Sequence, residues 1–107
     1  MKNKMIFIIN PISGRGAGLA AARELENLAK KAELDYQAVF TTGVGHATQL
    51  AQEAAAAGAQ VVTAVGGDGT ANEVLNGLMQ ARQAGLGAPA MGVIGVGRGT
   101  DFAFGVG

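Results

Sequence analysis

The chain has 107 residues, a length typical of a single domain. Its 8 basic residues balance 8 acidic ones, and this zero net charge argues against a mainly electrostatic nucleic-acid binder. With 49% hydrophobic residues and a mean hydropathy of +0.26, the sequence excludes bulk disorder. The absence of cysteine excludes a disulfide scaffold and a zinc–thiolate site, and the single histidine excludes a two-histidine metal site.

The first half of the sequence alternates strand and helix patterns. The continuous apolar run at residues 5–9 predicts a strand that is buried on both faces. Apolar residues at helical spacing predict a helix over residues 19–32, and an alternating pattern predicts a strand over 34–41. Residues 46–57 are predicted to form a second helix, with Gly58 at its carboxyl end.

The same alternation continues in the second half. Residues 61–65 predict a third strand, and the helix that follows is expected to turn Val74, Leu75, Leu78 and Met79 towards the core. A fourth strand is predicted over residues 89–94 and the start of a fourth helix over 101–104. This order predicts an α/β fold, a three-layer α/β/α sandwich with a mainly parallel sheet. Apolar runs are too short for a membrane span or a signal peptide, so a cytoplasmic protein is expected.

Glycine makes up 18 of the 107 residues, and many of the glycines lie in three segments that follow predicted strands: residues 10–18, 66–70 and 95–100. Because the carboxyl ends of parallel strands meet at one edge of the sheet, we expect these segments to line a common site. Glycine lets backbone N–H groups approach a ligand, which predicts a phosphate chain as the ligand. The P-loop and dinucleotide fingerprints are both missing, and the alternative for any one segment is a tight turn without a ligand.

Asp68 is the candidate for magnesium chemistry, because a carboxylate among phosphates requires a cation between them. The alternative is that Asp68 is the N-cap of the third helix. Thr70 is predicted either to donate its hydroxyl to a phosphate or to be the cap itself. Asn72 and Glu73 are predicted in the first helical turn, where Glu73 either meets the helix dipole or orients the loop or a metal-bound water.

Basic residues in the glycine-rich segments are Arg15 and Arg98, and a guanidinium can clamp phosphate oxygens. For Arg15, a solvated loop charge is the alternative. His46 is expected to be structural or to contact an adenine rather than to act as a catalyst. Met5, Met79 and Met91 are expected to fill the core.

Four motifs in this order resemble the catalytic domain of the diacylglycerol kinase family, in particular its bacterial lipid-kinase branch. They are Asn10-Pro11-Ile12-Ser13-Gly14, Thr41 ahead of Gly45-His46-Ala47, Gly66-Gly67-Asp68-Gly69-Thr70-Ala71-Asn72-Glu73, and Gly97-Arg98-Gly99-Thr100-Asp101-Phe102-Ala103. The central Gly-Gly-Asp-Gly-Thr alone also occurs in NAD kinases and, slightly altered, in phosphofructokinases. Arg98 and Thr100 depart from the family pattern, which usually has threonine and asparagine there.

This resemblance implies an NAD kinase/diacylglycerol kinase-like fold and phosphoryl transfer from Mg-ATP to a lipid hydroxyl such as that of diacylglycerol. It assigns Asp68 as the catalytic residue and the magnesium ligand. The residues that it implies in contact with ATP are Asn10, Pro11, Ser13, Gly14, Thr41, Gly66, Gly67, Asp68, Gly69, Thr70, Asn72, Arg98, Gly99 and Thr100.

The resemblance further implies that residues 1–107 are the nucleotide-binding half of the enzyme. A second, β-rich domain outside this chain would hold the lipid acceptor and supply the general base, so the isolated chain is expected to be inactive. Membrane contact is expected to be peripheral at most, at the inner membrane face, and a homo-oligomer is left open. Two alternatives also stay open: an NAD kinase-like enzyme and a non-catalytic nucleotide-binding module.

Overall fold

The computed structural model describes residues 4–14 and 16–96, and the backbone of residues 102–106. Its elements in chain order are β1 (Lys4–Ile9), α1 (Ala17–Lys31), β2 (Asp35–Phe40), α2 (His46–Ala56), β3 (Val61–Gly66), α3 (Asp68–Gln83), β4 (Ala90–Val96) and β5 (Phe102–Val106). The first four predicted strands and the three predicted helices are confirmed, and where the sequence predicts element ends they agree to about two residues.

The five strands form one sheet in the order β2-β1-β3-β4-β5. The pairs β1–β2, β1–β3 and β3–β4 are parallel, and β4–β5 is antiparallel. Strand β1, which lies between β2 and β3, is buried over residues 6–9, as its continuous apolar run predicts. The mainly parallel α/β sheet is therefore confirmed.

Residues 102–106 form a strand and not the predicted fourth helix. Their backbone pairs with β4, with Phe104 opposite Ile94 and Ala103 opposite Gly95. The sequence Phe-Ala-Phe-Gly-Val carries aromatic and β-branched residues that favour a strand, and its glycine disfavours a helix. Pairing also satisfies backbone groups of β4 that an edge strand would expose.

Helices cover both faces of the sheet, which confirms the three-layer architecture. Helix α1 packs on one face through Ala21, Ala22 and Ala29, with Phe7, Ile9 and Val65 beneath it. Helices α2 and α3 pack on the other face, where the buried residues are Ala47, Ala51, Ala54 and Ala55 of α2 and Val74, Leu78 and Ala81 of α3. Most of these contacts are made by alanine, so the helices lie close to the strands.

Two residues that were predicted to face the core on α3 lie outside it. Leu75 is 44% exposed and Met79 is 51% exposed, so their predicted core role is wrong. The buried stripe of α3 follows Val74, Leu78 and Ala81, and a residue one position further along a helix is rotated away from such a stripe. Met91 is buried as predicted.

Gly58 ends α2 as the sequence predicts. Its φ of 88° lies in the left-handed region, where a side chain is strained. In this conformation, the N–H of Gly58 donates to the carbonyl of Ala55 over 3.1 Å and that of Ala59 donates to Ala54 over 3.1 Å. These bonds satisfy carbonyl groups at the helix end and direct the chain into β3.

Candidate functional site

A cavity of about 300 Å³ opens at the carboxyl ends of β1, β2 and β3. Three segments form its walls: the turn after β1, the loop after β2 together with the first turn of α2, and the first two turns of α3. The lining residues are Asn10, Pro11, Ile12, Thr41, Thr42, Gly43, Val44, Ala47, Gly69, Thr70 and Glu73. The expectation that the segments after β1 and β3 share one edge is therefore confirmed.

Asn10 joins the turn after β1 to the start of α3. Its side-chain Nδ2 donates to Thr70 Oγ1 over 3.4 Å, while its Oδ1 accepts from the N–H of Ile12 over 3.2 Å. Its own N–H donates to the carbonyl of Val65 in β3 over 2.9 Å. Thr70 is only 7% exposed. Asn10 thus fixes the floor of the cavity through contacts with two neighbouring segments.

The glycines after β3 differ in the space around them. A Cβ on Gly66 would lie 2.7 Å from Thr70 Oγ1 and 3.0 Å from Ser13 Oγ, so these hydroxyls close tightly over it. A Cβ on Gly67 or Gly69 would meet nothing within 4 Å. Neighbouring side chains therefore cover the backbone at Gly66 but not at Gly67 and Gly69, which leaves room for a ligand at the N-terminal end of α3.

Helix α3 begins earlier than the sequence predicts. Gly67 is its N-cap, with extended backbone at φ −92° and ψ −169°, and Asp68 is its first residue. The two cap hypotheses, for Asp68 and for Thr70, are therefore wrong. The Gly66-Gly67 pair lets the chain turn from strand to helix at once, before any polar side chain that could cap it. The first intrahelical bond runs from Ala71 N to Gly67 O over 3.1 Å, so the N–H groups of residues 68–70 have no partner within the helix.

The loop after β2 is held by His46, the first residue of α2. His46 Nδ1 accepts from the N–H of Thr42 over 2.9 Å and lies 3.2 Å from Thr42 Oγ1. Because Nδ1 accepts a backbone N–H, it carries no proton, and the ring in this arrangement is the Nε2–H tautomer. The structural role expected for His46 is thus confirmed, whereas its contact with an adenine stays a prediction.

Glu73 contacts the same loop from the other side. It lies in the second turn of α3, not in the first turn as predicted, because α3 begins at Asp68. Its Oε1 accepts from the N–H of Gly45 over 3.1 Å. Gly45 is the N-cap of α2, so the carboxylate meets the positive end of α2 and not that of its own helix.

The structure brings many of the predicted site residues together. Asn10, Pro11, Thr41, Gly69 and Thr70 line the cavity. Ser13, Gly66, Gly67 and Asp68 lie beside it, at the start of α3 or packed against that start. Gly14 lies in the turn after β1, and Asn72 is exposed on α3.

The third glycine-rich segment begins within β4. Gly95 and Val96 are the last residues of β4. Arg98, Gly99, Thr100 and also Arg15 lie outside the described residues.

Part of the cavity wall was not predicted from the sequence, namely Ile12, Thr42, Gly43, Val44 and Ala47. Ile12 is 79% exposed and Val44 is 100% exposed. Large apolar residues inside glycine-rich, otherwise polar segments are the signal that could have identified these two.

The acidic side chains around the cavity are Asp68 at the start of α3 and Glu73 in its wall. Within residues 4–14 and 16–96, no three His, Cys, Asp or Glu side chains are grouped so that they could hold a metal ion by themselves. A cation at this site would therefore need ligand oxygens from a bound molecule in addition to Asp68.

Comparison with known proteins decides the family. The pattern described as "Diacylglycerol kinase catalytic domain" matches residues 4–107. The chain belongs to the diacylglycerol kinase catalytic domain family. The resemblance stated from its motifs is confirmed, and so is its assignment to the bacterial branch of this family.

Among its relatives in this family, the Bacillus subtilis protein named "Diacylglycerol kinase" is 38% identical over 97 residues, which are 91% of this chain and 31% of the relative. The Chromohalobacter salexigens protein named "Probable lipid kinase YegS-like" is 38% identical over 96 residues, 90% of this chain and 30% of the relative. A diacylglycerol kinase crystal structure from Bacillus anthracis superimposes with a TM-score of 0.71 at 31% identity, covering 89% of this chain and 31% of that one. The chain thus spans about 30% of the length of these curated relatives.

Proposed function

We propose that this kinase-family chain binds ATP at the carboxyl edge of its sheet and forms the ATP-binding half of a lipid kinase. The reaction would be phosphoryl transfer from Mg-ATP to a lipid hydroxyl such as that of diacylglycerol. The observation that carries the proposal is the cavity of about 300 Å³ formed by the segments that follow three neighbouring parallel strands, β2, β1 and β3. This cavity adjoins the start of α3, where no neighbouring atom covers the backbone of Gly67 and Gly69. Ligands of open α/β sheets bind at this edge.

The triphosphate is assigned to the start of α3. The N–H groups of residues 68–70 have no intrahelical partner, and the helix dipole favours an anion there. Gly67 and Gly69 leave the space above these groups open. Thr70 and Asn10, bonded to each other, would hold the donors in place. The apolar residues Ile12 and Val44 both line this cavity and would offer apolar surface to the base.

Asp68 fits a magnesium ion that arrives with the triphosphate. Mg²⁺ in phosphoryl-transfer sites is held by one or two carboxylates together with phosphate oxygens and water. Asp68 is exposed in the first turn of α3, beside the proposed phosphate position. A bound Mg²⁺ would neutralise charge on the transferring phosphoryl group. Without it, the carboxylate of Asp68 would repel the phosphates that the helix N-terminus attracts.

The lipid acceptor is proposed from the family. Relatives bear the names diacylglycerol kinase and lipid kinase, and they are about three times as long as this chain. We assign the acceptor site and the general base to polypeptide outside these 107 residues, so the chain alone is expected to transfer no phosphate. Among the helices of the described residues, none has the length and apolar character needed to cross a bilayer. Membrane contact is proposed to be peripheral, at the cytoplasmic face.

Calorimetric titration of the chain with ATP, with and without Mg²⁺, tests the proposal. Weak binding that Mg²⁺ strengthens is expected, because a cavity of about 300 Å³ is at the small end of ligand sites. Amide resonances of Gly69 and Thr70 should shift during the titration, whereas those of Gly58, at the opposite edge of the sheet, should not. The absence of heat and of any shift at the start of α3 would refute the assignment. NAD, titrated in parallel, tests the NAD kinase-like alternative.

A further inference from the structure

The loop after β2, here called the Thr41–Gly45 loop, forms one wall of the cavity and has little packing of its own. Thr42, Gly43 and Val44 are exposed, and Val44 is completely so. The described side-chain contacts of this loop join Thr42 to His46 Nδ1, through the N–H and Oγ1 of Thr42, and the N–H of Gly45 to Glu73 Oε1. His46 belongs to the helix that follows the loop, whereas Glu73 lies 28 residues away on α3.

The contact of Glu73 is part of a firm junction between α2 and α3. Thr48 Oγ1 donates to the backbone carbonyl of Glu73 over 2.9 Å, so the first turn of α2 is attached to Glu73 twice. One turn further along α3, a Cβ on Gly77 would clash with the carbonyl of Thr48 and lie 2.8 Å from the Cβ of Ala51. The helices therefore approach each other closely at this point, and the backbone of Glu73 has little freedom to move.

The position of the Glu73 side chain links two walls of the cavity. Glu73 itself lines the cavity, one turn after Gly69 and Thr70. Its carboxylate reaches the loop on the other wall, at the N-cap of α2, where a negative charge is favourable. Hydrogen bonds to a charged acceptor are stronger than neutral ones. This side chain thus bridges the start of α3 and the Thr41–Gly45 loop.

We propose that Glu73 is a positioning residue for nucleotide binding: it holds the Thr41–Gly45 loop at a fixed distance from the start of α3. The proposal rests on the proposed ATP site. Glu73 acts through the N–H of Gly45 and not by contact with phosphate or metal. Its removal should therefore weaken binding by freeing the loop, and an uncharged acceptor at the same place should restore binding.

Two substitutions and one control test this role. Glu73→Ala removes the acceptor, and the Kd for ATP is expected to rise about fivefold, the effect of losing one such hydrogen bond at an exposed place. Glu73→Gln keeps an oxygen that can accept from Gly45, so its Kd should stay within about twofold of the wild-type value. The control is Gln52→Ala, which removes the Gln52–Gln80 side-chain bond between the same two helices and should leave the Kd unchanged.

Amide hydrogen exchange gives a readout independent of affinity. The N–H of Gly45 should exchange faster in Glu73→Ala and at the wild-type rate in Glu73→Gln. The increase in Kd for Glu73→Ala should be the same with and without Mg²⁺. If Glu73→Gln binds as weakly as Glu73→Ala while Gly45 stays protected, the carboxylate acts directly and the proposal is wrong. If Glu73→Ala does not fold, Glu73→Gln is compared with the wild-type chain: an unchanged Kd with Gly45 protected supports the positioning role, and a raised Kd with Gly45 protected contradicts it.

The failure of this proposal is distinguishable from the failure of the proposed function. If the wild-type chain binds ATP and both Glu73 variants bind it as tightly as the wild-type chain does, Glu73 has no positioning role and the ATP site stands. If the wild-type chain shows no ATP binding while Gly45 remains protected, the ATP site is wrong, and with it the positioning role.

Discussion

Replacing Gly69 with alanine should separate stability from ligand binding. Gly69 is the second residue of α3 and lines the cavity, and a Cβ there would meet nothing within 4 Å. Alanine is favoured over glycine inside a helix by about 0.5–1 kcal/mol. We therefore expect Gly69→Ala to raise the free energy of unfolding by about 0.5 kcal/mol or more, which for a domain of this size is a rise in Tm of roughly 2–6 °C.

The same methyl group should weaken nucleotide binding. It would occupy the open space above the unpaired N–H groups at the start of α3, where the phosphates are proposed to bind. A phosphate displaced by even one methyl group loses short, charge-assisted hydrogen bonds, each worth about 1.5–3 kcal/mol. We expect the Kd for ATP to rise about tenfold or more, since 1.4 kcal/mol corresponds to a factor of ten.

Thermal unfolding and calorimetric titration of the same samples measure both effects. Asn76→Ala is the matched control, because Asn76 is exposed in the same helix and alanine also raises helix propensity there. It should stabilise the chain and leave ATP binding unchanged. An unchanged Kd in Gly69→Ala would show that the ligand does not approach this backbone. A loss of stability would show that α3 does not begin at Asp68.

Three further predictions address the packing, the metal and the titration of the chain. Gly66→Ala should destabilise the chain by about 1–3 kcal/mol in urea unfolding, because its Cβ would lie 2.7 Å from Thr70 Oγ1. Gly67→Ala should be nearly neutral, because its Cβ would meet nothing within 4 Å, and equal effects of the two substitutions would contradict this difference in packing. Asp68→Asn should abolish the strengthening of ATP binding by Mg²⁺ while costing at most about 1 kcal/mol of stability; persistence of the Mg²⁺ effect in calorimetry would rule out Asp68 as its ligand. Burial, then the negative charge of Glu26 and its hydrogen bond, raise the pKa of Tyr36 above its ordinary 10.0. Stability should therefore fall as the pH rises above 10, where the unfolded chain loses this proton first. Because Tyr36 is the only tyrosine and tryptophan is absent, phenolate absorbance reports it alone, and Glu26→Gln should lower its midpoint.

The succession of strands and helices and the mainly parallel pairing were predictable because they follow from patterns that are local in sequence. The apolar runs at residues 5–9 and 61–65 admit few structures other than buried strands, and the helices between them require parallel pairing. Residues 102–106 gave the wrong prediction because their state depends on a partner. Their pairing with β4 is a tertiary contact, and five residues that follow a glycine-rich segment carry too little periodicity to reveal it.

The site was predictable where it consists of backbone and unpredictable where it consists of contacts between distant segments. The glycines of residues 66–70 mark a place where the backbone carries no side chains, and this feature can be read directly from the sequence. The bond between Glu73 and Gly45 joins two helices and has no local signal.

The way in which the three helices begin supports a ligand at this edge on energetic grounds. Gly16, Gly45 and Gly67 are the N-caps of α1, α2 and α3, and none of them makes a side-chain cap bond. The left-handed backbone of Gly16 (φ 92°) and Gly45 (φ 84°) itself favours glycine, whereas the extended backbone of Gly67 can be adopted by any residue. At Gly67, serine or aspartate would be more stable by only a few tenths of a kcal/mol, so stability hardly distinguishes these residues from glycine there. Glycine and the capping residues differ far more in their effect on anion binding, because a capping side chain occupies the free N–H groups that an anion would otherwise bind. Glycine at the cap of α3 therefore leaves its donors available at negligible cost, and Gly67→Ser, which would supply a competing acceptor, should weaken ATP binding without unfolding the chain.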